Sequence, residues 1–163
     1  MDKFLRQRVS MKNPVHFLAL GFGSGLVPMM PGTFGSLAAL PILFAMSFFS
    51  LEVFIFITVV SFLVGIYLCG KTARDLKMHD HGSIVWDEVA GMMVTFIAIP
   101  LNPLSLLLGF LLFRFFDILK PWPISVFDRR VHGGFGIMID DIVAGAIACA
   151  CLHGILYFLS DIL

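Results

Sequence analysis

Seven of the 11 acidic residues lie between positions 80 and 141: Asp80, Asp87, Glu88, Asp117, Asp128, Asp140 and Asp141. Six of the seven sit within a few residues of the end of an apolar segment. An ionisable side chain in such a place is costly unless it is paired, hydrated or bound to a metal. Asp87-Glu88 and Asp140-Asp141 are adjacent pairs, which point about 100° apart on a helix, so one member of each faces inward while the other supports it or meets water. Carboxylates from separate helices form the oxygen ligand set that suits Mg²⁺, an ion that keeps several waters and shares the rest of its shell with substrate phosphate. The competing reading is a set of solvated helix N-termini, where acidic residues complement the dipole for roughly a few tenths of a kcal/mol. On residue type and spacing alone, both readings stand.

The basic and hydroxyl residues add phosphate chemistry. Arg114, Asp117 and Lys120 fall at i, i+3 and i+6 and spread over one helix face. That row is either a self-neutralising ladder or a place where Arg and Lys hold a phosphate while Asp touches metal. Pro121-Trp122-Pro123 ends the helix, and Trp122 fits a membrane–water interface. In Asp128-Arg129-Arg130-Val131-His132-Gly133-Gly134, two Arg, one His and two glycines either wrap an anion or clamp a loop to anionic lipid. Thr33 and Ser36 offer two hydroxyls at a helix entrance, with Thr33 equally suited to be its N-cap. Gly21 and Gly25, at i and i+4, read as a helix packing face. His79-Asp80-His81 is a weak ligand signal and reads as an interfacial polar loop. No nucleophile elbow and no Asp-x-Asp pair is present, and Cys69 and Arg74 stand one residue too close for a shared thiolate–Arg phosphate loop. Phosphoryl chemistry, if present, is then left to metal-activated water.

The elements that must position these residues are apolar. Of 163 residues, 59% are hydrophobic and 13% charged, against roughly 45–50% and 25% in a soluble domain. Net charge is zero, which removes the basic footprint of a nucleic-acid binder, so no nucleic-acid partner is expected. Residues 13–51, 53–70, 89–113 and 142–160 carry no Asp, Glu, Lys or Arg apart from the isolated Glu52 between the first two. Segments 34–51, 53–70 and 142–160 are each long enough to span a bilayer, which takes about 17–25 residues. Residues 89–113 are long enough for one tilted span, but Pro100-Leu101-Asn102-Pro103 predicts a turn between two short legs, roughly 87–100 and 104–117, a hairpin of either full spans or partly buried, re-entrant ones. Lys and Arg collect at the N-terminus, in 71–77 and in 114–130, so the hairpin puts all three charged stations on the cytoplasmic side. The expectation is an all-α, polytopic helical membrane protein with about four to five membrane-embedded helices. It forms one domain over 1–163, with a basic cytoplasmic N-terminus over 1–12 and polar stations at 71–88 and 114–141. No cleavable signal peptide is expected. The odd set Cys69, Cys149 and Cys151 reads as packing rather than a disulfide framework.

Four stretches carry a family resemblance: Gly21–Ser36 (GFGSGLVPMMPGTFGS), His79–Glu88 (HDHGSIVWDE), Phe113–Pro123 (FRFFDILKPWP) and Asp128–Gly145 (DRRVHGGFGIMIDDIVAG). From about Asn13 onward the chain resembles the phosphatidylglycerophosphatase A family of bacterial membrane phosphatases. The resemblance implies Mg²⁺-dependent hydrolysis of phosphatidylglycerophosphate to phosphatidylglycerol and inorganic phosphate at the inner membrane. Under it, Asp87, Glu88, Asp117, Asp140 and Asp141 are the expected metal-binding catalytic carboxylates. Lys120, Arg129, Arg130, Arg114, Thr33 and Ser36 are expected on the phosphates, and His132 is the candidate general acid for the leaving alkoxide. The partners it implies are the lipid substrate and surrounding membrane lipids.

Overall fold

The computed structural model describes residues 3–78 and 81–160; His79 and Asp80 therefore lie outside the described residues. Every regular element among them is helical. Two short helices, α1 (Lys3–Arg8) and α2 (Pro14–Ala19), lead through a 3₁₀ segment (Gly21–Leu26) into α3 (Pro31–Met46) and α4 (Leu51–Leu76). After these come α5 (Trp86–Thr95), α6 (Pro103–Leu119), α7 (Ile124–Arg130) and α8 (Gly133–Ser160).

Local chemistry sets the boundaries. The side chain of Asn102 accepts from the Ser105 backbone N–H while the Ser105 hydroxyl accepts from that of Asn102, a capping box with Pro103 in the first turn of α6. α5 ends after ten residues, and the chain turns through Ala98 at φ 59 before Pro100 and Pro103. The expected hairpin is thus present, with a shorter first leg and a slightly longer second one.

Three expectations shift. The segment 34–51 is not one continuous helix, since α3 begins at Pro31 and stops at Met46, and a turn precedes Leu51. Met30, in the left-handed region, occupies the N-cap of α3, with Pro31 in its first turn, so Thr33 lies inside the helix. Gly21 and Gly25 lie in an interrupted 3₁₀ segment and not on one α-helix face. Gly21, Phe22 and Gly23 all take positive φ, and a methyl on Gly25 would meet the Ser83 carbonyl at 2.1 Å.

α8 is the hub, packing against α4, α5, α6 and α7, while α3 lies on α5. Glycines set its closest crossings. A Cβ on Gly145 would lie 2.4 Å from the Gly91 carbonyl, so α5 and α8 touch backbone to backbone. A Cβ on Gly134 would lie 1.9 Å from the Ile66 carbonyl, and one on Gly65 would strike Met138, so α8 runs opposite to α4. One buried cluster centres on Leu43, Met92, Phe96, Phe113 and Leu152. Another joins Leu5, Leu20, Leu76 and Met138, tying the N-terminal segment to α4 and α8.

The outside is apolar as well. Phe44, Phe56, Leu63, Tyr67, Leu107 and Phe158 are all exposed, although withdrawing such a side chain from water is worth about 1.5–3 kcal/mol. A belt of this size fits lipid rather than water. α4 and α8 (to Leu159) are long and apolar enough to cross a membrane.

Candidate functional site

The α5–α8 crossing brings the two acidic pairs together. Asp87 lies one turn before Gly91 and Asp141 one turn before Gly145, so backbone contact at the glycines places these carboxylates side by side. One oxygen each from Asp87, Glu88 and Asp141 lie within 4.8 Å of one another. Asp87 and Asp141 are buried, and Glu88 Oε2 is enclosed with no hydrogen-bond partner.

Dipole complementation suits Asp87 and Glu88, in the first turn of α5, but not the carboxylates they meet. Asp140 and Asp141 are the eighth and ninth residues of α8, beyond the reach of its N-terminus. Asp117 is third from the end of α6, where the dipole opposes a carboxylate. The Glu88 carboxylate faces the like charges of Asp141 and Asp117 as well as the Arg114 guanidinium. Crowded, desolvated carboxylates of this kind are relieved by a cation.

Around the three runs a ring of ion pairs. Arg114 pairs with Asp117 within one turn of α6, and Asp117 is within hydrogen-bonding reach of Asp141. Arg114 Nε has no partner. Lys120, the left-handed C-cap of α6, reaches Asp128 on α7 and Asp140 on α8, the latter at 2.6 Å. Burial disfavours its ammonium, but the hydrogen bonds and charges of Asp128 and Asp140 outweigh that and raise its pKa above the usual lysine value. Asp140 Oδ1 is enclosed without a partner.

The five expected carboxylates therefore divide. Asp87, Glu88 and Asp141 share one space, Asp117 borders it and links Arg114 to it, and Asp140 is held by Lys120. Arg129 and Arg130 are exposed at the end of α7, and His132 is exposed just before α8. Thr33 is half-buried on the first turn of α3. Ser36 is buried, and its hydroxyl donates to the Gly32 carbonyl at 2.9 Å, within α3.

Two contributions have no signal in residue type alone. Asp128 anchors Lys120. Gly32 lies against the cluster, since a Cβ there would sit 2.3 Å from Glu88 Oε1 and 3.2 Å from Arg114 Nη1. The only hint of its role is its place between Pro31 and Thr33 at a helix entrance.

The phosphatidylglycerophosphatase A family model matches residues 17–156. This chain belongs to the phosphatidylglycerophosphatase A family. It is 52% identical over 155 residues to the phosphatidylglycerophosphatase A of Escherichia coli strain K12, covering 94% of this chain and 88% of that protein. To the Haemophilus influenzae phosphatidylglycerophosphatase A it is 48% identical over 155 residues, with 94% and 95% covered. No solved structure matches. The stretch matched by the family model holds all five carboxylates, Arg114, Lys120 and the Gly91–Gly145 crossing that brings them together.

Proposed function

We propose that this family member hydrolyses phosphatidylglycerophosphate to phosphatidylglycerol and inorganic phosphate, with Mg²⁺ held by Asp87, Glu88 and Asp141. The observation that carries the proposal is the convergence of these three carboxylates beside Arg114, two of them buried and the third half-buried. Hard oxygen donors, enclosure and the partnerless Glu88 Oε2 all fit a small divalent cation. Mg²⁺ bound there supplies Lewis-acid stabilisation of phosphate charge and lowers the pKa of a bound water.

The chain's own residues do the rest. Asp117 orients Arg114, whose guanidinium reaches the Gly32–Glu88 contact, where a phosphate oxygen would enter. Lys120 holds Asp140 in place. Arg129 and Arg130, exposed at the end of α7, neutralise the phosphates from outside, and Thr33 donates a hydrogen bond from the α3 entrance. Water attacks phosphorus, the bond from phosphorus to the glycerol oxygen breaks, and His132 gives the proton to the departing alkoxide.

The same geometry supports a membrane setting. With α4 and α8 crossing the inner membrane, the Lys71, Arg74 and Lys77 end of α4 faces the cytoplasm. Asp141 lies seven residues along α8 from Gly134, which packs against Gly70, so the carboxylates sit roughly 10 Å below that level. α3 and the α5–α6 hairpin complete about four to five embedded helices. A lipid headgroup meets the site there without leaving the bilayer.

The test is phosphate release by purified protein in detergent from phosphatidylglycerophosphate and from phosphatidate, each with Mg²⁺ and with a chelator. Release from phosphatidylglycerophosphate that stops on chelation is expected. No release from folded protein, or equal release from both lipids, overturns the assignment.

A further inference from the structure

An apolar groove of about 250 Å³ opens between α3 and α4 with α5 as its floor. Ile42 of α3, Ile57, Val60 and Val64 of α4, and Trp86 and Met93 of α5 line it. One of its ends lies at the level of the carboxylate site, because Trp86 directly precedes Asp87 and Glu88 on α5. From there it runs one way only. α5 descends from Trp86 to Met93 while α4 passes beside it from Val64 to Ile57, so the groove leads away from the charged end into the apolar part of the bundle. Val60 and Val64 at its rim are exposed, which leaves it open sideways.

The upper end carries a polar signal. Trp86 Nε1 donates to the Ser61 carbonyl at 3.2 Å, fixing the indole against α4. Ser61 lines the groove and is 7% exposed, and its hydroxyl has no hydrogen-bond partner. Three residues earlier Thr58 meets the same demand by donating to the Phe54 carbonyl at 2.9 Å. A buried hydroxyl left open in an apolar wall costs about 1–3 kcal/mol unless something arrives to accept from it.

We propose that this groove seats one acyl chain of the lipid substrate, with the Ser61 hydroxyl donating to the ester carbonyl where the chain begins. Continuity with the carboxylates selects the occupant. A lipid whose phosphate lies at Asp87, Glu88 and Asp141 has its glycerol passing the α5 N-terminus and its chain entering beside Trp86. The chain then descends along α4 in the direction lipid tails take. The inference rests on the phosphatase reading, and its tests separate the two.

The first test compares dipalmitoyl and dihexanoyl phosphatidylglycerophosphate as substrates. Ile57→Phe and Val60→Phe, which fill the lower groove, are expected to raise KM for the long-chain lipid about tenfold and leave the short-chain lipid within about twofold. Ser61→Ala raises KM for both, about fivefold. Leu63→Phe, on an outward part of α4, changes neither. An Ile57→Phe or Val60→Phe variant that shifts both chain lengths alike, or neither, overturns the groove, as does a Ser61→Ala variant with wild-type KM for both. Wild-type protein that hydrolyses neither lipid overturns the phosphatase reading instead.

The second test needs no turnover. The chain has two tryptophans, Trp86 and Trp122, so Trp122→Phe leaves Trp86 as the sole indole reporter. Phosphatidylglycerol brominated on its acyl chains is expected to quench Trp86 at lower mole fraction than equally brominated phosphatidylcholine, and Val60→Phe removes the difference. Equal quenching by the two lipids shows bulk lipid only and overturns the proposal.

Discussion

Gly32→Ala adds one methyl group at the contact between α3 and the carboxylate cluster. The added Cβ would lie 2.3 Å from Glu88 Oε1 and 3.2 and 3.3 Å from the two terminal nitrogens of Arg114. Carbon contacts settle near 3.5–4.0 Å, so either the Glu88 carboxylate or the start of α3 must move by about 1 Å. Glu88 is enclosed and Arg114 is tied to Asp117, which leaves little room to yield locally. Overpacking of this kind costs about 1–3 kcal/mol of stability, while a 1 Å displacement of a catalytic group costs about 10²-fold in rate. Gly32→Ala should therefore lower kcat roughly a hundredfold and raise the Mg²⁺ needed for half-maximal rate, with a modest drop in melting temperature. Gly154→Ala is the matched control, because its Cβ would meet nothing within 4 Å. The assay is phosphate release across a Mg²⁺ titration, alongside thermal unfolding in detergent. A Gly32→Ala enzyme with wild-type kcat and Mg²⁺ midpoint refutes the placement of α3 against Glu88.

Other outcomes follow from the same contacts. Gly145→Ala forces a methyl to 2.4 Å from the Gly91 carbonyl, a backbone atom that cannot turn aside; the melting temperature should fall by the equivalent of about 1–3 kcal/mol, and activity with it. Lys120→Met strands Asp140, which should lower the thermal midpoint. Because the Lys120 pKa is raised on folding, its stabilisation is complete below the unfolded value of about 10.4 and fades as pH climbs through the folded one. The midpoint gap between wild type and Lys120→Met should then hold from about pH 7 to 9 and narrow above about 10.4; no gap between about pH 7 and 9 contradicts the pairing. His132→Ala should slow turnover about 10²-fold, less than loss of Asp87 or Asp141, and a larger effect for His132 than for either carboxylate would reverse their ranking.

Much of this was readable along the chain because charge and proline are local signals. The charge-free runs located α4 and most of α8, and Pro100 and Pro103 marked the turn between α5 and α6. The acidic pairs stood out as expensive residues beside apolar segments. What stayed hidden was glycine used for close approach. Gly133 and Gly134 read as the end of a loop, yet α8 starts there, because Gly134 and Gly136 admit the Ile66 and Val131 carbonyls. That places Asp140 and Asp141 two turns inside a helix rather than at its mouth. Gly32, Gly91 and Gly145 are silent for the same reason: each matters through an atom of a distant segment. Residue type likewise could not divide the five carboxylates, since the division depends on which of them Lys120 and Arg114 reach.

Binding of Mn²⁺, which shares the oxygen-ligand preference of Mg²⁺, tests the central claim most directly when followed by electron paramagnetic resonance on purified wild-type, Asp141→Asn and Asp128→Asn protein. The wild type and Asp128→Asn should bind the ion saturably and release it to excess Mg²⁺, while folded Asp141→Asn should lose that binding. Undiminished binding by Asp141→Asn, or none by the wild type, would contradict a metal site built from Asp87, Glu88 and Asp141.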